Sequence, residues 1–316
     1  MKKVIYILPL LFFSCSKTTP TGTLSPAPFS ADSAYNYVAE QVALGARQPG
    51  SQAHYACAKY IENKLKAFGA EVSIEQGQML DYDSKAQQIY NIIGSFNTTA
   101  SKRILLAAHY DTRPWADQEE DYNKRTIPIL GANDGASGVA VLLEIARQLS
   151  QQKPTTAIDL VFFDCEDMGT PTFYTGKEKN DTWCLGSQLW ATMHQKDAQS
   201  YKYGIVLDMV GGYDAQFSKE YYSMQYASAW TEKIWHTASK LGYTAYFQNQ
   251  LTYPITDDHY YVNTIASIPC VDIIHYNTRT QEGFPHYWHT EQDNMNNICK
   301  ETLQAVGTTV LTTILN

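Results

Sequence analysis

Two apolar runs limit what this chain can become. Ile104–Ala108 is unbroken Ile, Leu and Ala, and Ile158–Phe163 is broken once, by Asp159. Runs of this kind read as strands buried on both faces of a sheet. Each ends in polar chemistry: His109-Tyr110-Asp111 after the first, Asp164-Cys165-Glu166-Asp167 after the second. Between them the turn Gly131–Gly138 leads into a helix pattern over 136–149, with Val139, Leu142, Leu143, Ala146 and Leu149 on one face and Lys153-Pro154 at the stop. Strand, helix, strand in this order is the unit of a parallel sheet. Open sheets of that type bind ligands outside the carboxyl ends of their strands, which is where His109, Asp134, Glu166 and Asp167 fall.

The remaining pattern extends the same architecture. Helices are expected at 33–44 (capped by Asp32, stopped by Gly45), 53–68 (stopped by Gly69), 186–194, 227–241 (stopped by Gly242) and 297–315. Strands are expected at 71–80, 87–96, 102–109, 157–164, 203–208 and 268–274, with Asp208 closing the fifth. Long polar loops fill 111–128, 168–181 and 275–294. The expectation is one α/β domain over 31–316: a central, mostly parallel twisted sheet, helices on both faces, and an antiparallel edge hairpin from 71–96. No repeat and no second domain boundary is visible.

The N-terminal segment reads differently. Lys2 and Lys3 precede an apolar run of ten residues, Val4–Phe13, too short to span ~30 Å of hydrocarbon. It runs into Leu11-Phe12-Phe13-Ser14-Cys15, which resembles a bacterial lipoprotein cleavage box with Cys15 as the acylated residue. Residues 1–15 are thus expected to be a signal peptide, and 16–30, rich in Ser, Thr and Pro, a flexible tether. This implies a lipid-anchored protein of the bacterial cell envelope facing the periplasm, touching membrane only through its lipid. Five further cysteines, Cys57, Cys165, Cys184, Cys270 and Cys299, show no CxxC spacing, so a zinc–thiolate site is not expected. One disulfide fits the compartment, but spacing does not pair it. The formal charge of −8, without a basic stripe, argues against a nucleic-acid partner.

A catalytic zinc takes three ligands from His and carboxylates and keeps one position open. Taken singly, a strand-end His, an Asp before Gly or a terminal Glu-Asp pair is usually structural. Their co-occurrence at the strand ends and loops of one sheet, with Asp208 and His289 added, points to a metal or acid/base site. His54, His194, His236 and His275 show no such pattern, and Pro285 weakens His286–His289 as a helical ligand pair.

Residues 33–316 resemble the zinc aminopeptidase-like superfamily. The motifs are Gly45–Ser51, His109-Tyr110-Asp111, Asn133–Gly138, Phe162–Asp167, Leu207-Asp208-Met209 and Trp288-His289-Thr290. Asp257-Asp258-His259, Phe284-Pro285 and Leu185-Gly186-Ser187 make the chain most similar to glutaminyl-peptide cyclotransferases, especially bacterial lipoprotein-type members. The resemblance implies one Zn2+ per chain held by Asp134, Asp167 and His289, and Glu166 as general acid/base. It also implies a carboxylate network of Asp208 and Asp258, and substrate contacts from Trp288, Trp183, Trp115 and Asp272. The partners would be peptides and proteins with N-terminal Gln, and the chain a monomer. Two departures stand out: Asp167 replaces the Glu of animal enzymes, and Asp272 replaces their His. Two-zinc aminopeptidases of the superfamily would instead use His109 and Asp208 for a second metal, bridged through Asp134.

Overall fold

The two apolar runs are neighbouring parallel strands inside a six-stranded sheet. In this computed structural model, residues 25–177, 179–277 and 283–316 are described; Cys15 and the signal-like segment lie outside them. The helices are α1 (Ala31–Val42), α2 (Gln52–Ala67), α3 (Ala136–Gln152), α4 (Leu185–Met193), α5 (Tyr221–Lys240), α6 (Asp258–Thr264) and α7 (Lys300–Leu315). The strands are β1 (Glu71–Leu80), β2 (Ala86–Phe96), β3 (Arg103–His109), β4 (Ala157–Phe163), β5 (Tyr201–Asp208), β6 (Phe217–Lys219), β7 (Phe247–Leu251) and β8 (Cys270–Ile274).

The main sheet runs β1-β2-β4-β3-β5-β8. β4, β3, β5 and β8 are mutually parallel, and the β1–β2 hairpin joins antiparallel at the edge, as expected. Alternation decides the layers. Ile104, Leu106, Ala108, Ile158, Leu160 and Phe162 face a core shared with α1, α2, α3, α5 and α7. Leu105, Ala107, Val161 and Phe163 face the opposite side, under Trp190 of α4 and Val262 of α6. Parallel register then collects the functional strand ends on one edge, with His109 beside Phe163 and Asp208 beside Ile274.

Several boundaries differ from expectation. α1 is capped by Ser30, whose side chain accepts the Ser33 N–H, and not by Asp32. The end of the expected tether is packed: Ala27 N–H donates to Thr312 Oγ1, and Phe29 is buried over Gly307. α5 starts at Tyr221, before the expected 227. Glu220 caps a first segment, and non-helical dihedrals at Ala227 mark a kink where the expected helix began. α6 and the two-stranded β6–β7 ribbon were not expected; at seven, three and five residues they are too short to show a period. All five cysteines of the described residues are free and buried.

The seam between α3 and the sheet depends on Gly138. A Cβ there would run into the Leu207 carbonyl oxygen and sit 2.9 Å from Ala108 Cβ. Backbone cannot give way as a side chain can, so Gly138→Ala is expected to cost about 1–3 kcal/mol. A lowered denaturant midpoint checks it; an unchanged midpoint counts against this close packing.

Candidate active site

Each site element is held by a buried charge. Arg47, fully buried, donates Nε to the Tyr110 carbonyl (3.1 Å), Nη1 to Leu130 O (2.7 Å) and Nη2 to Gly131 O (2.7 Å). It thereby ties the exit of β3 to the turn before α3. In that turn Gly131 and Gly135 have φ of 55° and 92°, and a Cβ at Gly135 would lie 2.6 Å from Asp111 O. Asp293 accepts the N–H groups of Asn133 (2.7 Å) and Asp134 (3.0 Å). The turn aims Asp134 over the strand ends.

β4 ends at Phe163, three residues before the carboxylate pair, so Glu166 and Asp167 stand on a loop and not on the strand. Cys165 in this loop adopts a left-handed φ of 53°. Asp111, buried beneath, accepts the N–H groups of Glu166 (3.0 Å) and Asp167 (3.2 Å). Arg113 donates Nη1 to Asp167 O and Gly169 O (both 2.9 Å) and pairs with Asp117. Asp117 in turn sits 3.5 Å from His289 Nδ1. Arg113 and His289 together hold the Asp117 carboxyl below its usual range, against the opposing effect of burial. His289 itself has φ of 53°. Such backbone costs about 1–3 kcal/mol per residue and clusters at functional sites.

Three donors converge at the cavity floor. His289 Nε2 lies 3.1 Å from Asp167 Oδ1 and 3.4 Å from Asp134 Oδ2. Tetrahedral zinc with bonds of ~2.0–2.1 Å needs ligand atoms about 3.3 Å apart, so the set fits that ion. Asp167 Oδ2 is buried without a hydrogen-bond partner, as suits a ligand carboxylate. The Asp117–His289 arrangement is the carboxylate–imidazole pair that orients metal-bound histidines. Asp117→Asn is therefore expected to weaken zinc binding about 10- to 100-fold, read by competition with a chromogenic chelator; unchanged affinity would remove Asp117 from this role. The second oxygen of Asp134 lies 3.1 Å from His109 Nε2, which is 3.2 Å from Asp208 Oδ1. Asp134 thus joins both triads that the resemblance implied.

Above the floor opens a cavity of about 580 Å³, lined by Glu166, Trp183, Asp208, Asp257, Trp288 and His289 among others. Trp288 stacks on His289 at 3.8 Å, and Trp183 lies parallel to the same ring at 6.1 Å. Phe284 continues the wall at 4.6 Å from Trp288. Burial, then the charges of Asp167, Asp257 and Asp258, raise the Glu166 carboxyl well above its usual value. Burial, with Asp134 adding to it and His109 opposing, lifts Asp208 to about 7. Cys184 Sγ donates to Glu166 Oε1 at 3.1 Å.

Two expected substrate contacts, Trp115 and Asp272, lie outside the cavity lining. Trp115 packs against Tyr82 and Phe173, outside the cavity, with the Arg113 guanidinium 5.3 Å from its ring. Asp258 is fully buried and does not line the cavity, but its charge acts on Glu166 from behind the wall; its neighbour Asp257, the α6 cap, faces the cavity. Asp272 lies buried behind the wall next to His259. Arg47, Arg113, Asp117, Asp257 and Asp293 were missed as site residues. The Gly45–Ser51 motif and the acid-rich loop at 111–128 were the signals available for the first three.

The profile of peptidase family M28 matches residues 91–314. A glutaminyl-peptide cyclotransferase from Boiga irregularis is 25% identical over 292 residues, covering 83% of this chain and 74% of its own. Two solved structures are much more similar. The Bacteroides thetaiotaomicron glutaminyl cyclase bound to N-acetylhistamine is 48% identical, with a TM-score of 0.89 over 92% of this chain and 99% of its own. A Zn-dependent exopeptidase from Parabacteroides distasonis is 49% identical, with a TM-score of 0.89 and the same coverage of both chains. A match over most of the sequence, on a zinc-exopeptidase fold with three zinc-type ligands at its floor, makes the chain a member of peptidase family M28.

Proposed function

We propose that the chain is a glutaminyl-peptide cyclotransferase, closing N-terminal Gln of peptides and proteins to pyroglutamate with release of ammonia. The observation that carries this reading is Glu166. It is a carboxyl group kept protonatable by burial, beside a three-ligand metal floor and under an indole wall, in a chain 48% identical to a bacterial glutaminyl cyclase.

Asp134, Asp167 and His289 would hold one zinc ion, which polarises the γ-amide carbonyl when bound. The nucleophile is the substrate's own α-amine, partly neutral near pH 8 given its reference pKa of ~7.7–8.0. Glu166 accepts the proton this amine loses as its nitrogen bonds to the side-chain carbonyl carbon, Cδ. It returns that proton to the amide nitrogen, which departs as ammonia. Asp167, Asp257 and Asp258 add their charges to the effect of burial and raise the affinity of Glu166 for the shared proton. Trp288 and Trp183 hold the flat side chain so that amine and carbonyl meet; for an intramolecular attack this orientation supplies much of the acceleration. The protein acts as a monomer tethered by acylated Cys15 to the cell envelope, facing the periplasm.

The test is ammonia release from a Gln-initiated dipeptide, with bound zinc counted on the same sample. Ammonia with about one zinc per chain supports the reading. A freed amino acid, no ammonia and a second metal on His109 and Asp208 would replace it with a two-zinc aminopeptidase.

A further inference from the structure

Six carboxylates line the cavity, and the reaction leaves one of them unused. Asp134 and Asp167 converge with His289, Asp257 lies close to Glu166, and Asp208 is bound to His109. Asp181 takes part in none of this. Of the lining residues, Asp181, Pro254 and Thr256 are the exposed ones, so these three mark the mouth. Asp181 is the one charged group among them. Among the described residues, no lysine or arginine lines the cavity.

The carboxylate is held in place. Tyr261 of α6, buried in the cavity wall, donates its hydroxyl to Asp181 Oδ1. Burial above all, with Cys184 and Asp181 adding to it, raises the Tyr261 phenol, so it keeps the proton it donates. The Asp181 backbone is fixed as well: its φ is 62°, and its carbonyl accepts Gln188 Nε2 of α4 at 3.1 Å. Lys177 and Lys179 lie just before Asp181 in the chain, yet neither forms an ion pair with it. Among the described residues, no cation does, and Oδ2 has no hydrogen-bond partner.

Closure of an N-terminal Gln takes its side chain to the metal floor, so the residue after it lies nearer the mouth. The reacting amine is not the partner of Asp181: an anion beside it would keep it protonated, and attack needs it neutral. A long cationic side chain suits the position better. Lysine and arginine lay their stems along apolar surface, here Pro254, and keep the charged head in water. We propose that Asp181 is a specificity-determining residue: a fixed anion at the cavity mouth that favours substrates with Lys or Arg directly after the N-terminal Gln and disfavours Asp or Glu there.

The inference rests on the cyclase reading for which part of the substrate reaches the floor, and its test separates the two. Ammonia release is compared for Gln-Lys-amide, Gln-Ala-amide and Gln-Glu-amide. A solvent-exposed charge pair is worth about 1.5- to 5-fold, so kcat/KM should fall by such a factor at each step from Lys to Ala to Glu. Asp181→Asn keeps an acceptor for Tyr261 and removes the charge, and both ratios should then close to near unity. In the unsubstituted protein, raising NaCl from about 0.05 to about 0.5 M should shrink the same ratios, because the pair is exposed. That measurement needs no variant to fold. Calorimetric binding of the three peptides to the zinc-loaded Glu166→Gln chain should follow the same order, whether or not the unsubstituted protein releases ammonia. No ammonia, with that binding order kept, counts against the cyclase reading alone. The proposal is overturned if the three peptides react and bind alike in the presence of Asp181, or if their ratios survive both Asp181→Asn and high salt. An equal loss for all three peptides in Asp181→Asn, with the ratios intact, overturns it too, since Asp181 would then be a structural residue.

Discussion

Glu166→Gln is expected to slow ammonia release from Gln-initiated peptides about 10²- to 10⁴-fold, the usual worth of a positioned proton carrier. The substitution is nearly isosteric and leaves an amide oxygen to accept from Cys184 Sγ, now 3.1 Å from Glu166 Oε1. It leaves Asp134, Asp167 and His289 untouched, so bound zinc should stay the same. Stability should also hold, because burial already disfavours the charged carboxylate and a neutral amide makes no greater demand at that position. The loss should fall on kcat, since Trp288 and Trp183 still bind the side chain. Steady-state ammonia release, a melting curve and a zinc count together read all of this. A variant retaining activity within a few-fold of the parent would move the proton carrier to another carboxylate of the cavity wall, Asp181, Asp208 or Asp257.

What could be read without coordinates follows from length and period. β3, β4 and α3 are long or strongly apolar, and their boundaries fall within a few residues of expectation. Asp134 was legible because a turn with two glycines announces itself. His289 was not legible by spacing: it lies in a loop, and only the Trp288-His289-Thr290 motif marked it. The choice between Asp257 and Asp258 shows the sharper limit. Two adjacent carboxylates at a helix start differ only in which one caps, and α6 is too short for its own pattern to tell. Trp115 and Trp183 posed the same problem in loops whose path depends on Arg113. That guanidinium stacks 4.5 Å from the Trp183 ring while its bonds to Asp117, Asp167 and Gly169 set the course of the chain. Arg47, one residue of an apparent turn, donates to three carbonyls that lie far along the chain. Long-range polar clamps of this kind have no local signature.

Zinc affinity is expected to rise about tenfold per pH unit between pH 6 and 9, because the ion must displace a proton from His289. In the metal-free site that ring opposes burial with the charges of Asp167, Asp117 and Asp134, which lift it to about 10. Asp134 is held well below its usual range by His109 and His289 despite burial, so it contributes no proton of its own. One proton should therefore leave for each zinc bound near neutral pH, and calorimetry in buffers of different ionisation enthalpy counts it. The same ring makes the metal-free chain sensitive to alkali. Its folded value is raised above the ordinary 6.5, so its contribution is complete below that value and is lost as the pH climbs through about 10. A chelated sample should then melt at lower temperature at pH 10 than at pH 7, while the zinc-loaded protein should not, because the metal replaces the proton between the same carboxylates. Acidification to pH 5 should instead strip zinc and stop turnover, with both restored on return to pH 8 and added zinc. Zinc binding without proton release would place the neutral ring in the metal-free site and leave Asp134 and Asp167 facing it without a shared proton.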